Sequence, residues 1–228
     1  RIVVEDTTTW VETAGDAIAE APPIETRSGM GRALREGFVV SVEVDPPTGL
    51  DPSRAIAGTK ALVAAGVQFV NIADGPRATA RMSPLALAMI LKRETGIEPI
   101  VHVTCRDRNL LGIQADLLGS HSIGLRNLLI ITGDPSKLGD YPEATTVYDV
   151  DSIGLLRLVS RLNRGIEPSG RRMASGTAFV KGCGAEPCAA NMDREVDRLR
   201  RKVEAGAEFV MTQPVYDLER MDLFLDRI

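Results

Sequence analysis

The strongest constraint on this chain is a pattern that occurs four times, in which a glycine, a short apolar run and a polar ending follow one another. The glycines are Gly66, Gly96, Gly124 and Gly206, and the endings are Ala73-Asp74, His102-Val103-Thr104-Cys105, Thr132-Gly133-Asp134 and Thr212-Gln213. The first three glycines are roughly 30 residues apart, which is the length of one strand–helix unit. The pattern predicts parallel strands whose polar ends share one edge of a sheet, where α/β enzymes bind substrates.

Composition and charge exclude several classes of protein. The 228 residues carry a net charge of −4, so no basic field favours nucleic acid or an anionic membrane. No signal peptide is visible, and no apolar run approaches the roughly 20 residues of a membrane span. The three cysteines, Cys105, Cys183 and Cys188, are too few for a disulfide scaffold and match no strong zinc pattern. We therefore expect a cytoplasmic protein without a metal site.

The composition changes near residue 36. Residues 1–36 are predicted to form a lead-in or linker, with one short helix near Thr9–Ala21 and a second over Arg32–Arg35. Residues 37–228 are predicted to form the main domain, whose first strand is Phe38–Val44. This strand is β-branched and mostly apolar, which is typical of a strand buried on both faces.

Helical segments follow the predicted strands in regular alternation. The helices are expected over Pro52–Ala65, between Ser83 and Gly96, and over Asn109–Ser120, Ser152–Asn163 and Arg194–Ala205, the last capped by Asp193; strands five and six are expected over Gly176–Val180 and Glu208–Thr212. No antiparallel hairpin signal interrupts the series. Alternation of this kind predicts an α/β protein with a parallel sheet.

Two parallel architectures compete. A doubly wound sheet usually has a glycine-rich turn after its first strand, but here the strand runs into Asp45-Pro46-Pro47, which cannot cradle a pyrophosphate with backbone N–H groups. A (β/α)8 TIM barrel needs no such turn and accounts for the polar strand ends. We predict the barrel, with about six β/α units present. Either the last two strands lie beyond this chain or the sheet is open.

Four strand-end residues are candidates for chemistry. Glu43 lies within the apolar first strand, so burial should raise its pKa and make it a general acid, unless it pairs with a buried cation. Asp134 follows Gly133, which permits close approach of a ligand, although an aspartate there can also cap a turn. His102 lies beside an apolar strand, where a histidine is more often a satisfied core residue than a catalyst. Gln213 can both donate to and accept from an amide-bearing ligand.

A basic stretch precedes the sixth predicted strand. It consists of Arg198, Arg200, Arg201 and Lys202. One interpretation is a solvated helix face, and the other is phosphate contact by one or two of these cations.

Taken in order, these motifs resemble the methylenetetrahydrofolate reductase family, flavin enzymes built on a (β/α)8 barrel. The matching segments are Ser41–Pro47, His102–Cys105, Thr132–Pro135, Tyr148, Arg201–Ala207 and Thr212-Gln213. The resemblance is greatest to a bacterial subgroup that is sometimes fused behind a homocysteine methyltransferase domain. In that arrangement residues 1–30 would be an interdomain linker.

The resemblance implies a role for each matching residue. Glu43 matches the general acid that protonates the folate as its methylene bridge opens, and Asp134 matches a carboxylate between flavin and folate. Gln213 matches a residue that contacts folate or nicotinamide. The implied cofactor-binding residues are His102, Thr104, Thr132, Gly133, Asp134, Tyr148, Asp149, Arg201 and Lys202.

The implied activity is reduction of 5,10-methylenetetrahydrofolate to 5-methyltetrahydrofolate by NAD(P)H through FAD, in one-carbon and methionine metabolism. A homo-oligomer is expected. The chain departs from the family at two strand ends, with Ala73-Asp74 in place of a Thr-Tyr pair and Gly184–Pro187 where an aromatic residue is common. These departures keep open an alternative, a flavin-free folate- or pterin-binding barrel that serves a methyl-transfer partner.

Overall fold

A computed structural model of the chain describes residues 20–228 and contains one sheet of six parallel strands. The strands are β1 (Ser41–Val44), β2 (Phe69–Ile72), β3 (Glu98–Thr104), β4 (Asn127–Ile131), β5 (Val180–Ala185) and β6 (Phe209–Thr212). Their order in the sheet is the order of the chain. A doubly wound sheet would reverse direction at a switch point, so the predicted parallel α/β sheet is confirmed in its singly wound form.

Helices connect and flank the strands. They are α1 (Ile24–Arg27), α2 (Gly29–Glu36), α3 (Ser53–Ala64), α4 (Pro84–Thr95), α5 (Leu110–Ser122), α6 (Ser152–Asn163), α7 (Met192–Glu204) and α8 (Leu218–Leu225), with 3-10 turns at Pro76–Ala78 and Ser136–Leu138. No helix within residues 20–228 is long and apolar enough to cross a membrane.

The sheet curls around one of its faces. Glu43 of β1 and Met211 of β6, the two edge strands, line the same cavity. On this inner face, Phe69, Ile100, Leu129 and Phe209 belong to one apolar cluster. The curvature gives a partial barrel, whose outer face is covered by α3 to α7 with the larger apolar core.

The N-terminal end of this partial barrel is closed by α1 and α2, which we call the floor. Met30 of α2 is buried against the inner cluster, and its backbone N–H donates to Glu98 Oε1 at 3.1 Å. Ser28 Oγ donates to Asn127 Oδ1 at 2.7 Å. Arg27 Nη1 lies 2.6 Å from Glu208 Oε1, next to β6. Residues 24–36 thus pack on the sheet, while the proposed division of the chain at residue 36 stays a prediction.

The fifth strand begins four residues later than the sequence predicts. The prediction of Gly176–Val180 is wrong because Asn163, at the end of α6, holds this segment: its Oδ1 accepts from Thr177 Oγ1 at 2.7 Å and from Phe179 N at 2.9 Å. The residues that pair with β4 and β6 are instead those of Val180–Ala185.

Other expectations change less. Strand β1 is shorter than expected and lies at the edge of the sheet, so it is not buried on both faces. Helix α7 is capped by the side chain of Asn191 rather than Asp193. The second short helix is confirmed but begins three residues earlier, at Gly29. The helix expected near Thr9–Ala21 lies almost wholly outside the described residues.

Candidate functional site

Two adjoining cavities lie at the carboxyl ends of the strands. The central cavity has a volume of about 500 Å³ and is lined by strand-end residues that include Glu43, His102, Thr104, Gly133, Asp134 and Gln213. The side cavity has a volume of about 250 Å³ and is lined by residues that include Thr132, Ser152, Arg198 and Lys202. Ile131, Gly184 and Gln213 belong to both. A larger groove of about 720 Å³ between β1 and α3 contains only Glu43 of the predicted site residues.

Glu43 enters the central cavity from the edge strand. Its register partner on β2 is Asn71, which places both side chains on the inner face. Glu43 is an exposed residue of this edge strand, so it is not buried among the apolar residues as the sequence suggests. Partial loss of hydration is the main cause that raises its pKa, and the nearby Asp45 carboxylate raises it further, which is the expected direction. No cation among the described residues pairs with Glu43. The alternative of a carboxylate paired with a buried cation is therefore not supported.

His102 lies on the inner face of β3, opposite Leu129 in the register with β4. The residue is 7% exposed, and its Nε2 atom has no hydrogen-bond partner within the described chain. Burial lowers its pKa to about 4, so the imidazole is neutral at physiological pH. Because buried polar atoms are normally paired, an unpaired Nε2 beside a cavity is a candidate ligand contact.

Asp134 is fixed at the end of β4 by contacts to both its backbone and its carboxylate. Its carbonyl oxygen accepts from Arg106 Nη1 and from the Tyr148 hydroxyl, each at 3.2 Å. Its Oδ2 atom accepts from Arg77 N at 3.1 Å. The preceding Gly133 has a φ of 92°, and an added Cβ there would lie 3.1 Å from Thr104 Cβ. Close packing of this turn therefore requires glycine.

The backbone around Asp134 adopts unusual conformations. Arg77, Ala78 and Tyr148 are the non-glycine residues with positive φ in the described chain, at 54°, 56° and 45°. All three belong to segments that contact Asp134 or flank its partners. Left-handed conformations of such residues are costly and are concentrated at functional sites.

Arg106 links three neighbouring strand ends and was not singled out by the sequence. The residue is 3% exposed and donates to the carbonyl oxygens of Gly75, after β2, and Asp134, after β4. A bidentate pair with Asp107 balances its charge. The sequence signal that could have identified Arg106 is the alternation of charges in Arg106-Asp107-Arg108, directly after a strand end.

Thr104 and Asp74 form a pair at the wall of the central cavity. The Thr104 hydroxyl and backbone N–H both donate to Asp74 Oδ2 at 2.9 Å. Arg108 forms an ion pair with the same oxygen. The residue that departs from the family pattern is therefore held firmly, and the hydroxyl of Thr104 is already engaged inside the protein.

The side cavity brings two cations beside the end of β4. Arg198 Nη2 donates to Thr132 Oγ1 at 3.1 Å, and Lys202 Nζ donates to the carbonyl oxygen of Gly184 at 2.7 Å. Burial is the main cause that lowers the pKa of Lys202, followed by the nearby Arg198. Glu186 and Glu195 line the same cavity, so carboxylates lie beside these cations, and phosphate contact by the basic stretch stays a prediction.

Three predicted site residues, Tyr148, Asp149 and Arg201, line neither cavity. The Asp149 carboxylate accepts from Leu110 N at 2.9 Å, at the start of α5. Arg201 is exposed on α7. The cysteines are free, with Cys105 and Cys183 buried and Cys188 exposed. No group of His, Cys, Asp and Glu side chains in residues 20–228 is arranged to hold a metal ion.

The fold and the cavities define a parallel α/β protein with two polar cavities at the carboxyl ends of its strands. A sequence profile of the methylenetetrahydrofolate reductase family matches residues 30–228. The chain belongs to this family, which confirms the resemblance seen in its motifs.

Individual relatives are distant and longer than this chain. Methylenetetrahydrofolate reductase 1 of Schizosaccharomyces pombe is 26% identical over 164 residues, which are 70% of this chain and 25% of that protein. The 5,10-methylenetetrahydrofolate reductase of Pectobacterium carotovorum subsp. carotovorum is 24% identical over 82% of this chain and 58% of its own length. A probable methylenetetrahydrofolate reductase (NADH) of Oryza sativa subsp. japonica is 28% identical over 72% and 27%.

Solved structures support the fold alone. A crystal structure of 2,3-dimethylmalate lyase, a member of the PEP mutase/isocitrate lyase superfamily, superposes with a TM-score of 0.58 at 13% identity, covering 86% of this chain and 64% of that protein. A phosphonopyruvate hydrolase complex gives a TM-score of 0.55 at 14% identity, over 85% of this chain and 65% of that chain. At such low identity the likeness concerns the arrangement of strands and helices.

Proposed function

We propose that this chain carries out flavin-dependent reduction of 5,10-methylenetetrahydrofolate to 5-methyltetrahydrofolate, with NAD(P)H as the electron donor. The observation that carries the proposal is the meeting of Glu43, Asp134 and Gln213 in the central cavity. They come from three separate strand ends, and they are the positions to which the family resemblance assigns acid catalysis and substrate binding. Membership of residues 30–228 in the family supports the same activity.

FAD is the proposed cofactor, because its two chemical parts match the two adjoining cavities. In the central cavity, the flavin ring system would lie beside the neutral imidazole of His102, whose Nε2 atom is unpaired within the described residues. The side cavity is lined by Arg198 and Lys202 together with Glu186 and Glu195, and the two cations are proposed to contact the diphosphate. The cavities share Gly184 and Gln213, so one elongated ligand can occupy both. When bound, FAD supplies the capacity to accept and release a hydride.

The residues of the chain are proposed to control the proton and the charge on the folate. The raised pKa of Glu43 keeps its carboxyl protonated at higher pH than an ordinary glutamate, so it can protonate the folate nitrogen as the methylene bridge opens. The Asp134 carboxylate stabilises the positive charge that this step leaves on the folate. Gln213 can donate and accept hydrogen bonds, which suits the amide groups of folate and nicotinamide.

Other parts of the proposal concern the whole protein. NAD(P)H and methylenetetrahydrofolate would occupy the central cavity in turn, each leaving before the other enters. Strands β1 and β6 are the two edges of the sheet, and we propose that two further strands of the natural protein pair with them to complete a (β/α)8 barrel. A cytoplasmic homo-oligomer is also proposed.

The visible spectrum of the purified natural protein tests the proposed activity. We expect oxidised-flavin absorption that is lost when NADH or NADPH is added without oxygen and that returns when methylenetetrahydrofolate follows. Absence of flavin absorption, both before and after addition of FAD, would contradict the proposal. That result would favour the flavin-free folate- or pterin-binding barrel, to which the departure at Ala73-Asp74 also points.

A further inference from the structure

Asp74 has two carboxylate oxygens with very different surroundings. Oδ2 accepts from the backbone N–H and the hydroxyl of Thr104, each at 2.9 Å, and it also pairs with Arg108. No donor among residues 20–228 reaches Oδ1. The side chain is 10% exposed, and the residue lines the central cavity. The unpaired oxygen is therefore the part of the carboxylate that is open to the cavity.

This asymmetry is unusual for a carboxylate at so small an exposure. Removing a charge from water is costly unless its oxygens are paired. Here three donors stabilise one oxygen, and Arg108 balances the charge, so the carboxylate is held in place without using Oδ1. An ionised carboxylate only accepts hydrogen bonds. The cavity wall at β2 therefore presents a fixed acceptor.

We propose that Asp74 determines ligand specificity by accepting a hydrogen bond at Oδ1 from an N–H or O–H donor of the molecule bound in the central cavity. The inference rests on the proposed function only for the choice of ligands to be tested. The donor class includes the imide and hydroxyl groups of a flavin, the carboxamide of a nicotinamide and the amino group of a pterin. A carbonyl or phosphate oxygen at the same place would be repelled, so Asp74 also selects against ligands turned the other way.

The substitution Asp74→Asn isolates this role. Thr104 and Arg108 both donate to Asp74 Oδ2. The asparagine amide will therefore turn its oxygen towards these two residues and its NH2 group towards the cavity. The shape is kept, while the group that meets the ligand changes from an acceptor to a donor.

Asp116→Asn is the matched control. Asp116 Oδ2 pairs with the other end of the Arg108 guanidinium at 3.1 Å, and Asp116 does not line the central cavity. This change removes the same charge from the same arginine and leaves the cavity wall intact.

The experiment measures dissociation constants of FAD, NADH and 5-methyltetrahydrofolate for the natural protein and both variants, together with thermal unfolding. We expect Asp74→Asn to weaken one of the three ligands by about 10- to 100-fold, and Asp116→Asn to change each by less than about twofold. The ligand that is weakened identifies the donor. Equal affinities in the two variants would overturn the inference, as would a loss of all three ligands that parallels a fall in melting temperature. Binding of FAD to the natural protein tests the proposed function separately.

Discussion

At the floor of the partial barrel, buried polar groups are paired with one another. At the opposite end, the carboxyl ends of the strands around the central cavity, which we call the mouth, two polar atoms are left open towards that cavity. Asn127 at the floor donates to Glu98 Oε1 at 2.6 Å and accepts from Ser28. At the mouth, His102 Nε2 has no partner within the described residues, and Asp74 uses one oxygen only. The difference teaches that the same kinds of side chain stabilise one end of the sheet and are available to ligands at the other.

Replacing Glu43 by glutamine should have the largest effect and should be confined to the mouth. Loss of the acid should slow folate reduction by about 10²- to 10⁴-fold, while reduction of the flavin by NAD(P)H stays close to normal. Stopped-flow absorbance measures the two half-reactions separately, and Glu36→Gln, on the exposed end of α2, is the control. If both half-reactions slow equally, Glu43 has a structural role, as the polar side chains at the floor do.

Glu208→Gln tests the floor. Glu208 pairs with Arg27, and its Oε1 atom lies 3.9 Å from Lys181 Nζ. Neutralising Glu208 therefore leaves two largely buried cations without a counter-ion. We expect the free energy of unfolding to fall by about 2–3 kcal/mol, less than for a fully buried pair. Chemical denaturation measures this, with Glu219→Gln on exposed α8 as the control. A marked change in the rate of either half-reaction at equal folded fraction would show that floor and mouth are coupled.

Gly182 and Gly184 sharpen the comparison within a single strand, since both face inwards on β5. A Cβ at Gly182 would lie 2.2 Å from the ring of Phe209, but one at Gly184 would lie 3.7 Å from Ile131. Gly182→Ala should lower the free energy of unfolding by about 1–3 kcal/mol through overpacking. Gly184→Ala should leave it within about 0.5 kcal/mol. Equal losses in denaturant titrations would contradict a mouth that has room for a ligand.

The smallest expected effect is a pH dependence that arises from Glu43. Its folded-state pKa is raised, so between its ordinary and its raised pKa the folded protein holds a proton that the unfolded chain has lost. Stability from this group is complete below the ordinary pKa and is lost as pH rises through the raised one. Folate reduction should slow over the same rise, and Glu43→Gln should remove both trends. Denaturant titrations and half-reaction rates across pH measure them.

Much of the fold could be predicted because it depends on local chain chemistry. The glycines that end helices, such as Gly96 with its φ of 74°, and the apolar runs after them set the order of units. The start of β5 could not be predicted, because Asn163 decides it through bonds to Thr177 and Phe179. Such long-range side-chain bonds leave no periodic signal in a sequence.

The candidate site was predictable where a residue sits at a strand end, and less so elsewhere. Glu43, His102 and Asp134 follow directly from strand position, and the structure brings them to one cavity. Arg106 was missed because its importance lies in reaching the carbonyl oxygens of two other loops. Asp74 could be recognised from the sequence only as a departure from the family pattern. Which of its two carboxylate oxygens is hydrogen-bonded depends on the three-dimensional structure.

The order of the strands also affects how the chain acquires its fold. Each strand pairs with the next one along the chain, so the sheet can grow unit by unit during synthesis. Met30 can dock once β2 to β4 exist, because Phe69, Ile100 and Leu129 are its neighbours. Arg27 must wait for Glu208, which lies 181 residues further on. The N-terminal helices therefore contact parts of the chain that are synthesised at different times, β2 to β4 first and Glu208 later.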